Sequence, residues 1–196
     1  MKLKISGYLM ALIFFFAGNC YGHDLHSILL AAGNHYNISP PAVLNALAIV
    51  ESNMNPLAIN MSSRQNLAEV LKKKNVPHTA YTRNGRYFFS IRPRDRAQAE
   101  KLIHWGASSD HISYDVGLMQ IWKGNVNHYN LDPIELLDPI PNALAGGMIF
   151  RKCLDRYKKS VWEAIECYHH GHFKGEPTYY SENVYAAIKR LVERRN

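Results

Sequence analysis

Cysteine is scarce in this chain: 196 residues hold only three. That excludes a small scaffold stapled by several disulfides, and the spacing of the three fits no common zinc site. Long apolar runs are also lacking. The longest, residues 8–17 (YLMALIFFFA), is too short to span a bilayer comfortably. There are no internal repeats, no low-complexity tracts and no convincing linker. A chain of this length without such features reads as one domain with a real core.

What is present at the N-terminus differs from the rest. Lys2 and Lys4 precede the apolar run, and small residues follow at Ala17, Gly18 and Gly22. That is the layout of a secretory signal peptide over residues 1–22, cleaved after Gly22, which leaves 23–196 as the exported domain. Cys20 invites a lipoprotein reading, but Asn19 before it is a poor match to a lipid-attachment signal. Loss of residues 1–22 leaves 21 basic against 16 acidic side chains, a balance of +5. A mildly basic exported protein suits a polyanionic partner: cell wall, membrane surface or nucleic acid. Export and the absence of any nucleic-acid module motif argue against nucleic acid. Cys153 and Cys167 remain, an even count that points to one disulfide in an oxidising compartment, with two buried thiols as the alternative.

The periodicity is mostly helical. Leu25, Ile28, Leu29 and Ala32 keep helical spacing, with Gly33 or Asn34 as a stop. Ser39 before Pro40 and Pro41 reads as a helix start, leading into an apolar face of Val43, Leu44, Leu47, Ala48 and Val50. Residues 64–74 and 94–105 read as amphipathic helices. Between them, residues 79–91 are rich in Tyr, Phe and Thr around Asn84-Gly85, a two-residue hairpin signal. From 117 onward the pattern predicts helix over 117–127, 142–157, 160–170 and 179–194, with a short turn at 133–137. The fold class expected is mainly α with one small β-hairpin.

Glu51 stands at the end of the apolar helix, in Ala48-Ile49-Val50-Glu51-Ser52. A carboxyl among apolar neighbours resists ionising, so its pKa is expected to rise toward the range of a proton donor. Alone, a Glu at a helix end is more often simply solvated. Other residues change the reading. Glu51-Ser52 with Asn53 and Pro56 behind it, Gly117-Leu118-Met119-Gln120-Ile121, Asp138-Pro139 with Asn142 and Gly146, and Trp162 to Gly171 occur in order. Together they resemble the lytic transglycosylase domain of the lysozyme superfamily, over residues 25 to 190. The stretch 61–114, ending in Asp115-Val116-Gly117-Leu118, is similar to an insert in the small transglycosylases that accompany conjugation, pilus and secretion machines.

The resemblance implies a periplasmic enzyme acting on the glycan strands of peptidoglycan, with a trans-envelope machine as a further partner and no cofactor. It implies that Glu51 protonates the oxygen between N-acetylmuramic acid and N-acetylglucosamine, then takes a proton from the sugar's C6 hydroxyl, closing a 1,6-anhydro ring. Gln120, Met119, Tyr168 and His169 match positions lining the sugar groove; His169 stands where the family usually has Asn. Asp115 also fits a motif of C-type lysozymes, where Asp stabilises the cationic sugar. A true hydrolase using Glu51 and Asp115 is therefore an alternative, as is a non-catalytic wall-binding protein. The plain reading of Asp115 is the cap of a helix starting at Gly117, with Ser113 as competitor. His169, His170 and His172 cluster, but no His-Glu-x-x-His helix exists and no metal is expected.

Overall fold

Asp24 opens the first helix among the described residues by accepting the His26 backbone N–H at 3.0 Å, and α1 (Leu25–His35) follows. The computed structural model describes residues 24–158, 160–173 and 175–193, so the expected signal segment lies outside the described residues. Next, α2 (Val43–Ser52) buries every residue from Val43 to Ala48. Asn45, polar within that stretch, is satisfied by His26: the ring Nδ1 lies 2.8 Å from its Oδ1, and its Nδ2 donates to the His26 carbonyl at 3.3 Å. The expected helix start at Ser39 falls too early. Pro40 and Pro41 lack N–H groups and lie ahead of the helix, their carbonyls accepting from Val43 and Leu44.

The middle of the chain builds a sheet: β1 (Ile59–Ser63), α3 (Ala68–Lys73), β2 (His78–Arg83), β3 (Arg86–Ile91), α4 (Arg96–Ala107), β4 (Ile112–Val116) and β5 (Ile121–Trp122). The expected hairpin is β2–β3, turned by Asn84 and Gly85, both at positive φ (51° and 69°) as a two-residue turn of this hand requires. It is the edge of a larger antiparallel sheet in the order β2-β3-β1-β4-β5. The expected helix 64–74 shrinks to α3, where Asn66 accepts the Ala68 N–H.

The chain closes with α5 (Lys123–Tyr129), a 3₁₀ turn (Glu135–Leu137), α6 (Pro139–Arg156), α7 (Val161–His170) and α8 (Tyr179–Glu193). Helix α6 starts three residues before the expected point because Pro139 occupies its first turn. Helix α6 packs on α1 and α7, and α2 packs on α8. Cys153 on α6 and Cys167 on α7 are joined by a disulfide, with Cα atoms 5.8 Å apart. Among the described residues no helix is long and apolar enough to cross a membrane.

One expectation is corrected: 117–127 is not a helix. Gly117 (φ 80°) and Gln120 (φ 48°) take left-handed conformations that no helix contains, so 117–120 is a tight turn from β4 into β5, and helix begins only at Lys123. Asp115 and Ser113 are accordingly strand residues of β4, not caps.

The strand alternation gives the sheet two faces. Ile59, Met61, Phe89, Ile91, Tyr114, Val116 and Ile121 point into the core. On the other face, Ser90, Asn60, Asp115 and Trp122 lie side by side on successive strands, and Phe88, Ser62 and Ser113 form the next row.

Candidate active site

Glu51 is delivered by the C-terminal end of α2. The helix stops there because Asn53 and Met54 turn left-handed (φ 54° and 61°), which leaves the last turn open to a cleft. The cleft encloses about 190 Å³ and is walled by Glu51, Ser52 and Asn55 on one side and Asn60, Ser90, Arg92 and Gln120 on the other. Ser52 explains the Glu-Ser pairing. Its hydroxyl donates to the Leu118 carbonyl at 2.7 Å, with the Ala48 carbonyl also near at 3.1 Å, and so ties the end of α2 to the Gly117–Gln120 turn.

That turn is clamped from behind by Asn142, which is fully buried in α6. Its Oδ1 accepts the Met119 N–H at 2.7 Å, and its Nδ2 donates to the carbonyls of Val116 (3.0 Å) and Leu136 (2.8 Å). A Cβ on Gly117 would sit 2.1 Å from the Asn142 Nδ2, and one on Gly146 would sit 2.3 Å from the Met119 sulfur. Glycine is required at both places by close approach, and at Gly117 also by its positive φ. The sequence motifs are thus the two halves of one joint.

Glu51 is 13% exposed, and its Oε1 accepts a 2.5 Å hydrogen bond from the Tyr180 hydroxyl. The His169 Nδ1 lies 3.8 Å from the same oxygen, and its ring stacks on Tyr180 with centroids 3.9 Å apart. Asp115, half-buried on β4, is pushed up to about 7, by burial first and by the Glu51 charge second; His169 pulls the other way. Tyr168 donates to the Met119 carbonyl at 2.7 Å. The Tyr168 and Tyr180 phenols are both held well above their ordinary range, by burial and then by Glu51, and stay protonated as donors.

Gln120 and Met119 differ from each other. Gln120 walls the cleft; its Nε2 donates to the carbonyls of Ala58 (2.9 Å) and Gly117 (2.7 Å). Two carbonyls on that side identify it as the amide nitrogen and leave Oε1 a buried acceptor without a partner among the described residues. The Met119 side chain is fully buried against Gly146, so what it offers the site is its backbone, which carries Tyr168. The histidines diverge: His169 faces Glu51, while the His170 Nε2 lies 3.6 Å from Glu166 on the other side of α7.

Tyr180 was not singled out by sequence. It comes from the first turn of α8, far from every motif, and reaches Glu51 only because α8 packs along α2. The signal available was weak: one of two tyrosines in Thr178-Tyr179-Tyr180-Ser181, just ahead of an amphipathic helix.

Against known proteins, no curated sequence and no solved structure matches significantly. The profile of the family described as the transglycosylase SLT domain matches residues 27–183, most of the chain. That span holds Glu51, the Gly117–Gln120 turn, Asn142 and Tyr180. With its motifs assembled around one cleft, this chain belongs to the SLT domain family of lytic transglycosylases, which act on peptidoglycan.

Proposed function

We propose that this protein is a periplasmic lytic transglycosylase, that Glu51 is its acid–base catalyst, and that it opens the wall locally for a secretion, conjugation or pilus machine. The observation that carries the reaction is the inequality of the two carboxyls. Glu51 walls the cleft and is oriented by Tyr180, whereas Asp115 lies on β4 outside the cleft wall. A carboxyl outside the cleft wall is poorly placed to serve as the nucleophile or stabiliser of a hydrolase. The substrate's own C6 hydroxyl then completes the reaction. Glu51 donates its proton to the leaving oxygen of the N-acetylglucosamine, and its carboxylate takes the C6 hydroxyl proton as the 1,6-anhydromuramyl ring closes. Asp115 supports the site from β4, and Gln120, Tyr168 and His169 line or brace the groove.

The machine partner and the periplasmic location rest on the signal-like N-terminus and on the 61–114 insert. They are tested by locating the protein in cell fractions and by deleting it in a host with an intact envelope machine. The reaction is tested by mass spectrometry of digested peptidoglycan. Anhydromuramyl ends are expected; reducing ends would mean a lysozyme-type hydrolase, and no product would mean a wall-binding protein. Glu51→Gln should lose at least ~100-fold in rate with an unchanged melting curve. Activity within a few-fold of wild type would remove Glu51 from this role.

A further inference from the structure

Trp122 is 54% exposed, a large apolar surface to leave in water. It is nonetheless held in one orientation. Its indole N–H donates to the Ser113 hydroxyl at 3.0 Å, and its six-membered ring lies over the backbone of Gly124, where an added Cβ would come within 2.2 Å of it. Gly124 leaves the space that the ring fills. Trp122 is also the direct cross-strand partner of Asp115, whose proton affinity responds to Glu51. Asp115 in turn pairs with Asn60, and Asn60 with Ser90; both of these line the cleft. The Cα of Trp122 therefore stands about 10 Å from that of Asn60, two strand spacings along the same open face.

The geometry points to Trp122 as a stacking platform for a sugar ring of the glycan strand, next to the Glu51–Asp115 pair. This inference rests on the proposed peptidoglycan substrate. Its N–H already used, the indole offers an apolar face alone, bordered by the polar groups of Asp115, Asn60 and Ser113. A pyranose matches that pattern, with C–H groups on its faces and hydroxyls at its edge. Because the ring is already oriented, binding loses little side-chain entropy there.

The test uses full-length Glu51→Gln protein as parent and purified glycan strands stripped of stem peptides as probe. Adding Trp122→Ala should weaken binding about fivefold or more, and Trp122→Phe should restore part of it. Gly124→Ala keeps the indole but displaces it, and should weaken binding in the same direction. In the parent, glycan should change tryptophan emission, and Trp122→Phe should remove that change while Trp105 and Trp162 remain. In the Glu51-intact protein, Trp122→Ala should raise KM more than it lowers kcat. Binding of Trp122→Ala within twofold of the parent, or a parent that binds no strands, would overturn the platform. Wild-type protein that binds strands but releases no product would overturn the lyase reading and leave the platform standing.

Discussion

At Asp115 the folded chain binds a proton more tightly than the unfolded one, since burial and the Glu51 charge raise its carboxyl from 3.8 to about 7. Between those values the native state holds the extra proton, so stability falls as pH rises through that window and stays low above it. Asp115→Asn removes the cost. Its melting temperature should exceed wild type by at least about 3 °C above pH 7, with the gap closing toward pH 4. The same variant tests the chemistry. Partial activity with unchanged anhydro product is expected, and a stable Asp115→Asn protein as inactive as Glu51→Gln would sink the proposed mechanism. Tyr180→Phe deletes the donor to Glu51 and should cost about tenfold in rate, the worth of one hydrogen bond to a charged group. A rate within twofold of wild type in that variant would show that Tyr180 does not position the Glu51 carboxyl.

Among the elements, α8 matters most to the site, and a single buried carboxyl anchors its start. Glu166, fully buried on α7, takes the Thr178 N–H at 2.7 Å and the Thr178 hydroxyl at 3.1 Å, with His170 close by. Burial alone would raise its pKa; the bonds from Ser181 and Thr178, with the charge of His170, outweigh that and hold it below the usual carboxylate range. Its contribution is therefore present above the unfolded pKa and lost as pH falls through the lowered one. Glu166→Gln should cost about 1–3 kcal/mol at neutral pH by calorimetry, shrinking in acid. Activity should fall as well, because Tyr180 sits two residues past Thr178. Equal stability at pH 7 would remove Glu166 as the anchor. The 117–120 turn is the contrasting case, held by Ser52 and Asn142 rather than by charge.

For the whole molecule, the Cys153–Cys167 bond closes a short loop between α6 and α7, the helix that carries Tyr168 and His169. Replacing both cysteines with serine should cost about 3 kcal/mol in urea unfolding. Protein purified from cells should show no free thiol from this pair when unfolded without reductant; two titratable thiols would rule the bond out. Legibility in the sequence followed the range of the interactions. Local periodicity identified α2, α4, α7 and α8, and Asn84-Gly85 identified the β2–β3 turn, because caps, apolar stripes and positive-φ residues act over a few neighbours. Ordered motifs pointed to Glu51, Gln120 and Tyr168; the fold puts Glu51 and Gln120 on one cleft and Tyr168 on the Met119 carbonyl beside it. The 117–127 helix failed because Leu118, Met119 and Ile121 are apolar at helical spacing while being buried in a turn and a strand. Only tertiary structure decided that Asp115 is a strand residue sharing Glu51's field, that Tyr180 reaches Glu51 from 129 residues away, and that Trp122 is braced over Gly124. Composition and spacing determine which groups the chain owns. Burial, charge and hydrogen bonds across distant segments determine which of them share a site, and those arise only when α2, α8 and the sheet pack together.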